Sequence, residues 1–326
     1  MARRTCAVVA ILAAACGKGR DPGEAPAAGA SGSAAAPAAG DRAMQCELLP
    51  FAVSTPVPEA SAAAWIALER SETGGRAPRA IDGKPHLLVV GDSGNHGAYG
   101  IIDADTGATI ETGKLPLSDD ASDDLEGLSA IGDRIYGLTS SGWIRVWQRR
   151  GQGFEQVEKA YPLGPVDLPD RKSRDRPPDG DGMVCGARAI NCGRNYEGLC
   201  LAPAAHAGGC VGFAASKADG HLYCLTEESG KLAVHRDRAI AITRPGALAD
   251  CTFDDDGAVW AASNLFDAGR VYRVTHWEDP AAAEVEQIGP LPIGFPEVIA
   301  VRGDIVYRMS DMGGSPSLMV RYRCRG

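Results

Sequence analysis

The chain has no long amphipathic helical pattern, which argues against a helical bundle. Its apolar run from Cys6 to Ala15 falls well short of the roughly 20 residues a membrane-crossing helix needs. It has no Gly-x-Ser-x-Gly elbow, no phosphate-binding Gly-rich loop and no haem motif, so the usual signatures of serine hydrolases, nucleotide enzymes and haem proteins are missing. His86, His96, His206, His221, His235 and His276 share no zinc-ligand spacing, and no two cysteines form a CxxC pair. The acidic run Asp119 to Asp124 lacks the Asp-x-Asp-x-Asp-Gly order of a calcium loop and reads as a solvated connection. Ser93 in Asp92-Ser93-Gly94 reads as a turn, not a nucleophile. Basic charge is in short supply: 33 Lys and Arg against 42 Asp and Glu give a net charge of −9. An acidic surface disfavours nucleic acid and anionic lipid and is compatible with cations.

What is present begins with export. Arg3-Arg4, the apolar run and Cys16-Gly17 have the layout of a secretory signal. Leu12-Ala13-Ala14-Ala15-Cys16 also resembles the bacterial lipobox, in which the cysteine is lipidated and becomes the mature N-terminus. The expectation is a signal over 1–15, a lipidated Cys16, and a tether over 16–43 built from Ala, Gly, Pro and Ser, with too little apolar surface to order itself. An ordinary secretory signal is the alternative. Gly17 favours the outer membrane, so the expected location is the cell envelope, anchored by lipid.

Residues 44–326 read as one domain of short strands. Runs such as His86 to Val90, Trp143 to Trp147, His221 to Leu225 and Leu318 to Tyr322 are rich in Val, Ile, Tyr and Trp. Hairpin turns such as Asp105-Thr106-Gly107 and Asp255-Asp256-Gly257 punctuate the chain. Glu59 to Arg70 is Ala-rich and could be helical by propensity. An acidic residue followed by a short apolar stretch recurs at Glu59, Glu126, Glu197, Asp250 and Glu297. Its spacing of roughly 50 to 70 residues fits propeller blades of about 40 to 50 residues with insertions, one of them Gly164 to Gly193. The fold class expected is an all-β, five-bladed β-propeller, six blades being the alternative. Only two strands follow the last repeat, so Cys46 to Val53 is expected to supply the missing outer strand and close the ring.

Of ten cysteines, eight remain once Cys6 and Cys16 are assigned to the signal and the lipid. An even number in an exported chain suggests disulfides. Ring closure predicts Cys46–Cys324, and proximity suggests Cys185–Cys192, Cys200–Cys210 and Cys224–Cys251.

Asp124-Leu125-Glu126-Gly127-Leu128, Asn195-Tyr196-Glu197-Gly198-Leu199 and Pro296-Glu297-Val298-Ile299-Ala300, with Val90-Gly91-Asp92-Ser93-Gly94-Asn95, resemble the SdiA-regulated family of bacterial propellers and the phytase-like esterase group. The resemblance implies five blades and a calcium ion in or near the central opening. The sequence departs from the pattern after Glu59, at Asp250 and at Val298.

Independently of any family, acids repeated once per blade on inner strands converge at the propeller axis. Converging carboxylates must take up protons or share a cation, and calcium suits six to eight oxygen ligands. Glu126 and Glu197 are the first candidate ligands, then Glu297, then Glu59 and Asp250; hydrogen bonding of each acid to backbone N–H groups is the competing role. Arg188 and Arg194 could clamp an anion near Glu197 or make surface salt bridges. Three functions follow: a non-catalytic calcium-binding propeller serving as a binding or scaffold module, a calcium-dependent phytase-like phosphoesterase, or a carbohydrate- or protein-binding propeller without metal. The first is preferred because no nucleophile or base can be named. The expected partners are the membrane, through the lipid, and an envelope ligand or protein; the expected state is a monomer.

Overall fold

The computed structural model describes residues 44–68, 84–168, 182–203, 209–242, 247–264 and 269–326. The expected signal, lipidated Cys16 and tether lie outside the described residues. Every regular element among the described residues is a strand, and each of the five sheets is antiparallel with four strands. The fold is a five-bladed β-propeller.

Blade 1 contains β2 (Ala60–Ala67), β3 (Pro85–Gly91), β4 (Ala98–Ile102) and β5 (Thr109–Lys114). Blade 2 contains β6 (Leu125–Ile131), β7 (Arg134–Thr139), β8 (Trp143–Arg150) and β9 (Gly153–Pro162). Blade 3 contains β10 (Tyr196–Leu201), β11 (Gly212–Ser216), β12 (His221–Glu228) and β13 (Lys231–Ala241). Blade 4 contains β14 (Leu248–Phe253), β15 (Val259–Ser263), β16 (Arg270–Thr275) and β17 (Glu284–Pro290). Blade 5 contains β18 (Phe295–Arg302), β19 (Ile305–Asp311) and β20 (Pro316–Arg325), and its outer strand is β1 (Gln45–Pro58).

The N-terminal strand therefore closes the ring. Cys46 faces Cys324 across the β1–β20 pair, and the two are disulfide-bonded. Cys185–Cys192 also forms. The other two pairings differ from expectation: Cys200 joins Cys251, and Cys210 joins Cys224. Sequence proximity fails here because Cys200 and Cys251 lie on the inner strands of adjacent blades, whereas Cys210 lies just before β11, which pairs with β12 carrying Cys224. The Ala-rich segment is strand β2, not helix. Its alanines are nearly all buried, and side chains this small suit an inner strand flanked closely by its neighbours.

The core is distributed between blades. Leu88, Val90 and Tyr99 of blade 1 pack with Leu125, Leu128 and Trp147 of blade 2, and matching clusters fill the other four seams. Each fully buried large apolar side chain contributes roughly 1.5–3 kcal/mol. The five tryptophans belong to this packing, and each indole N–H has an acceptor, such as Pro116 O for Trp147 and Val301 O for Trp65.

Candidate functional site

Each inner strand carries one extra residue near its start. The register slips between Ala60 and Ala62, Leu125 and Gly127, Tyr196 and Gly198, Leu248 and Asp250, and Pro296 and Val298. Such bulges re-aim a side chain. The extra residues are Ser61, Glu126, Glu197, Ala249 and Glu297, so three of the five bulges present a glutamate at the same end of the axis. The second strands end opposite these bulges, and the residues that follow Gly91, Thr139, Ser216, Ser263 and Ser310 are Asp92, Ser140, Lys217, Asn264 and Asp311. The two sets form the axial mouth.

Glu59 and Asp250 are not equivalent to the other three acids. Glu59 precedes its strand, with φ of 49°, and Asn95 Nδ2 donates to its Oε2 at 3.1 Å. Asp250 occupies the position held by Gly127 and Gly198 in blades 2 and 3. A Cβ at Gly127 would lie 2.5 Å from Leu199 N, and one at Gly198 would lie 2.7 Å from Asp250 Cα, so adjacent inner strands touch backbone to backbone there. In blade 4 the Asp250 side chain instead accepts hydrogen bonds from Cys251 N at 2.8 Å and Ile299 N at 3.0 Å. It does the backbone-bonding job that competed with metal ligation. Burial still raises its pKa well above the usual range, against those bonds and the charge of Arg308. Arg308 is itself fully buried, with no hydrogen-bond partner at Nε or either Nη, and burial lowers it to about 10.

Glu197 and Glu297 are individually partnered. Lys217 Nζ lies 2.8 Å from Glu197 Oε2, and Asn195 Nδ2 donates to Oε1 at 2.9 Å. Burial pushes Glu197 up to about 8, with Lys217 opposing. Burial also lowers the lysine, but Glu197 and Glu297 outweigh it and raise the ammonium above its ordinary value. Asn264 Nδ2 donates to both oxygens of Glu297 at 3.0 and 3.2 Å, while burial raises that carboxyl too.

Glu126 has no such partner. Carboxylate oxygens of Asp92, Asp124 and Glu126 all lie within 4.8 Å of one another. Burial drives the Glu126 pKa well upward, and Glu197, Asp92 and Asp124 drive it further. Two charges this close repel, which a proton on Glu126 or a shared cation would relieve. Asp124 is fully buried and pushed up to about 7, first by burial and, against the hydroxyl of Ser140, by Asp92 and Asp123. Ser140 Oγ donates to Asp124 Oδ2, and Asp124 Oδ1 has no partner. Three carboxyls this close, one of them with a buried oxygen that lacks a donor, are ligands of the kind a hard divalent cation takes. Asp92, Asp124 and Glu126 therefore fit calcium. Asp92 and Asp124 were not singled out from sequence. The available signal was their place in the repeat: one residue after a second strand, and two before a bulge glutamate.

The proposed anion clamps lie elsewhere. Arg194 pairs with Asp219 at 2.7 Å and stacks over Tyr223, and Arg188 Nη2 donates to Asp119 O at 3.4 Å.

No family model matches the chain, so the resemblance to SdiA-regulated proteins rests on the residues quoted above. No curated protein matches it either. Among solved structures it is similar to a glutaminyl cyclase of Myxococcus xanthus at 14% identity, covering 87% of this chain and 98% of that one, with a TM-score of 0.46. A 6-phosphogluconolactonase-like protein of Bacteroides uniformis is similar at 15% identity over 79% of this chain and 80% of that one, with a TM-score of 0.42. At these distances the chemistry of those proteins stays theirs.

Proposed function

We propose that the chain is an envelope lipoprotein held through Cys16, whose propeller carries calcium at its axial mouth and acts as a binding module. The observation that carries the calcium reading is the trio of half-buried Asp92 and buried Asp124 and Glu126, with Asp124 Oδ1 left without a donor. A cation there would relieve the repulsion among the three carboxyls, and three protein carboxylates leave part of a calcium ion's usual six to eight ligands to be supplied by others. The anchor and the outer-membrane location rest on Leu12 to Gly17 of the sequence.

A calcium-dependent phosphoesterase would need a free basic group beside the ion. Lys217 is held by Glu197 at 2.8 Å, and Arg308 is sealed from solvent, which favours the non-catalytic reading. A metal-free propeller would be favoured if every axial acid were held by backbone N–H groups, as Asp250 is.

The test is a thermal melt of the full chain in EDTA and then in calcium. A ligand at 100 times its Kd stabilises the folded state by about 2.7 kcal/mol, a rise on the order of 5 °C for a domain of this size. Asp92→Asn/Glu126→Gln is expected to abolish the rise. An unchanged wild-type melt would sink the calcium reading.

A further inference from the structure

The connection between blades 2 and 3 reaches the axial acids by two routes, both through the loop that Cys185–Cys192 closes. On the first route, Asn191 N donates to Ser140 Oγ at 2.7 Å. That bond occupies the acceptor side of the hydroxyl, so its proton is directed at Asp124 Oδ2. With Oδ2 engaged, Oδ1 is the Asp124 oxygen left without a donor, in a carboxyl grouped with those of Asp92 and Glu126. On the second route, Asn195 N donates to Cys192 O at 3.0 Å, and Lys217 N donates to Asn195 O at 3.0 Å. Asn195 holds φ of 48° and donates from Nδ2 to Glu197. The loop thus positions a member of the open trio and both members of the neighbouring ion pair.

The loop is itself tied down. Cys185 N donates to Ser141 O at 2.9 Å, and Ser122 N donates to Ala187 O at 2.8 Å. Trp143 Nε1 donates to Cys185 O at 2.9 Å. Cys185, Ala189 and Cys192 form a small buried cluster with Leu168 packed against it. Opening the disulfide would remove the covalent tie on the segment that holds Asn191 over Ser140, while β3, which ends just before Asp92, and β6, which follows Asp124 and carries Glu126, would keep their pairing.

We propose that this disulfide-closed loop sets the cation affinity of the axial mouth, with Ser140 as the positioning residue through which it acts on Asp124. This rests on the calcium reading above. Groups that orient a ligand without touching the metal are typically worth roughly 10–100-fold in affinity.

The experiment is calorimetric titration of the full chain with calcium. Ser140→Ala is expected to weaken binding roughly tenfold or more. Ser140→Thr keeps the donor and is expected to bind much as wild type does, which a purely packing role for Ser140 does not predict. Cys185→Ser/Cys192→Ser, which keeps the other three disulfides, is expected to weaken binding at unchanged stoichiometry; it carries the test if Ser140→Ala does not fold. Wild-type affinity in both Ser140→Ala and the cysteine double variant overturns the proposal while leaving the calcium reading intact. Weak binding by Ser140→Ala that threonine does not restore overturns the role of Ser140. Absence of calcium binding by the wild type overturns the reading and this proposal together.

Discussion

Glu126 and Glu197 sit at the same bulge of neighbouring blades, each followed by a glycine that admits the next inner strand, yet they meet opposite surroundings. Glu197 faces Lys217, the residue that follows the second strand of its own blade. Glu126 faces Asp92, the residue at the equivalent place in blade 1, and Asp124. One half of the mouth has its counter-charge built in, and the other half lacks it. The repeat supplies the geometry, and the residue after each second strand decides the charge.

The comparison is most sharply broken by pH. Asp124 has a folded pKa near 7 against an ordinary 3.8. Between those values the folded chain binds more protons than the unfolded chain, so stability is fully present below the ordinary value and is lost as pH rises through about 7. In EDTA this one group should cost on the order of 4 kcal/mol by pH 8, with Glu126 acting in the same direction. Urea melts across that range should show the decline, and calcium should flatten it.

Next in size is the built-in pair. Lys217→Met removes the charge facing a buried carboxylate and should cost about 2 kcal/mol at pH 9, a value reduced from that of a fully buried pair because the lysine is partly exposed. Adding Glu197→Gln should recover most of the loss in a double-mutant cycle; additive losses would dissolve the distinction between the two halves. Asn264→Ala should cost about 1.5 kcal/mol by leaving Glu297 without its amide. Smallest is Glu59→Gln, expected to stay within about 0.5 kcal/mol by chemical denaturation, since Glu59 lies outside the bulge ring and is only partly buried.

Much of the architecture was legible in the sequence. Turn residues, β-branched runs and the recurring acids carried the blade count, and Cys46 and Cys324 carried the closure. The bulge was not legible. Matching blades by their acids places Asp250 beside Glu126 and Glu197, whereas the strand register places Ala249 there and gives Asp250 the glycine's position. Asp92 looked like an ordinary turn residue because nothing local distinguishes the end of a second strand that points at the axis from one that points at solvent. The pairing of Cys200 with Cys251 follows from inner strands of successive blades lying side by side, a contact between residues 51 apart in sequence.

The bond between Cys46 and Cys324 spans 278 residues and turns nearly the whole domain into a covalent circle. A protease that clips one exposed turn anywhere inside that circle cuts it open without dividing it. Both new ends stay on one molecule, each still belonging to a blade held by its neighbours. Damage of this kind would pass unseen on a non-reducing gel and become fragments only once thiol is added, so the closure protects the domain's integrity as well as its edge.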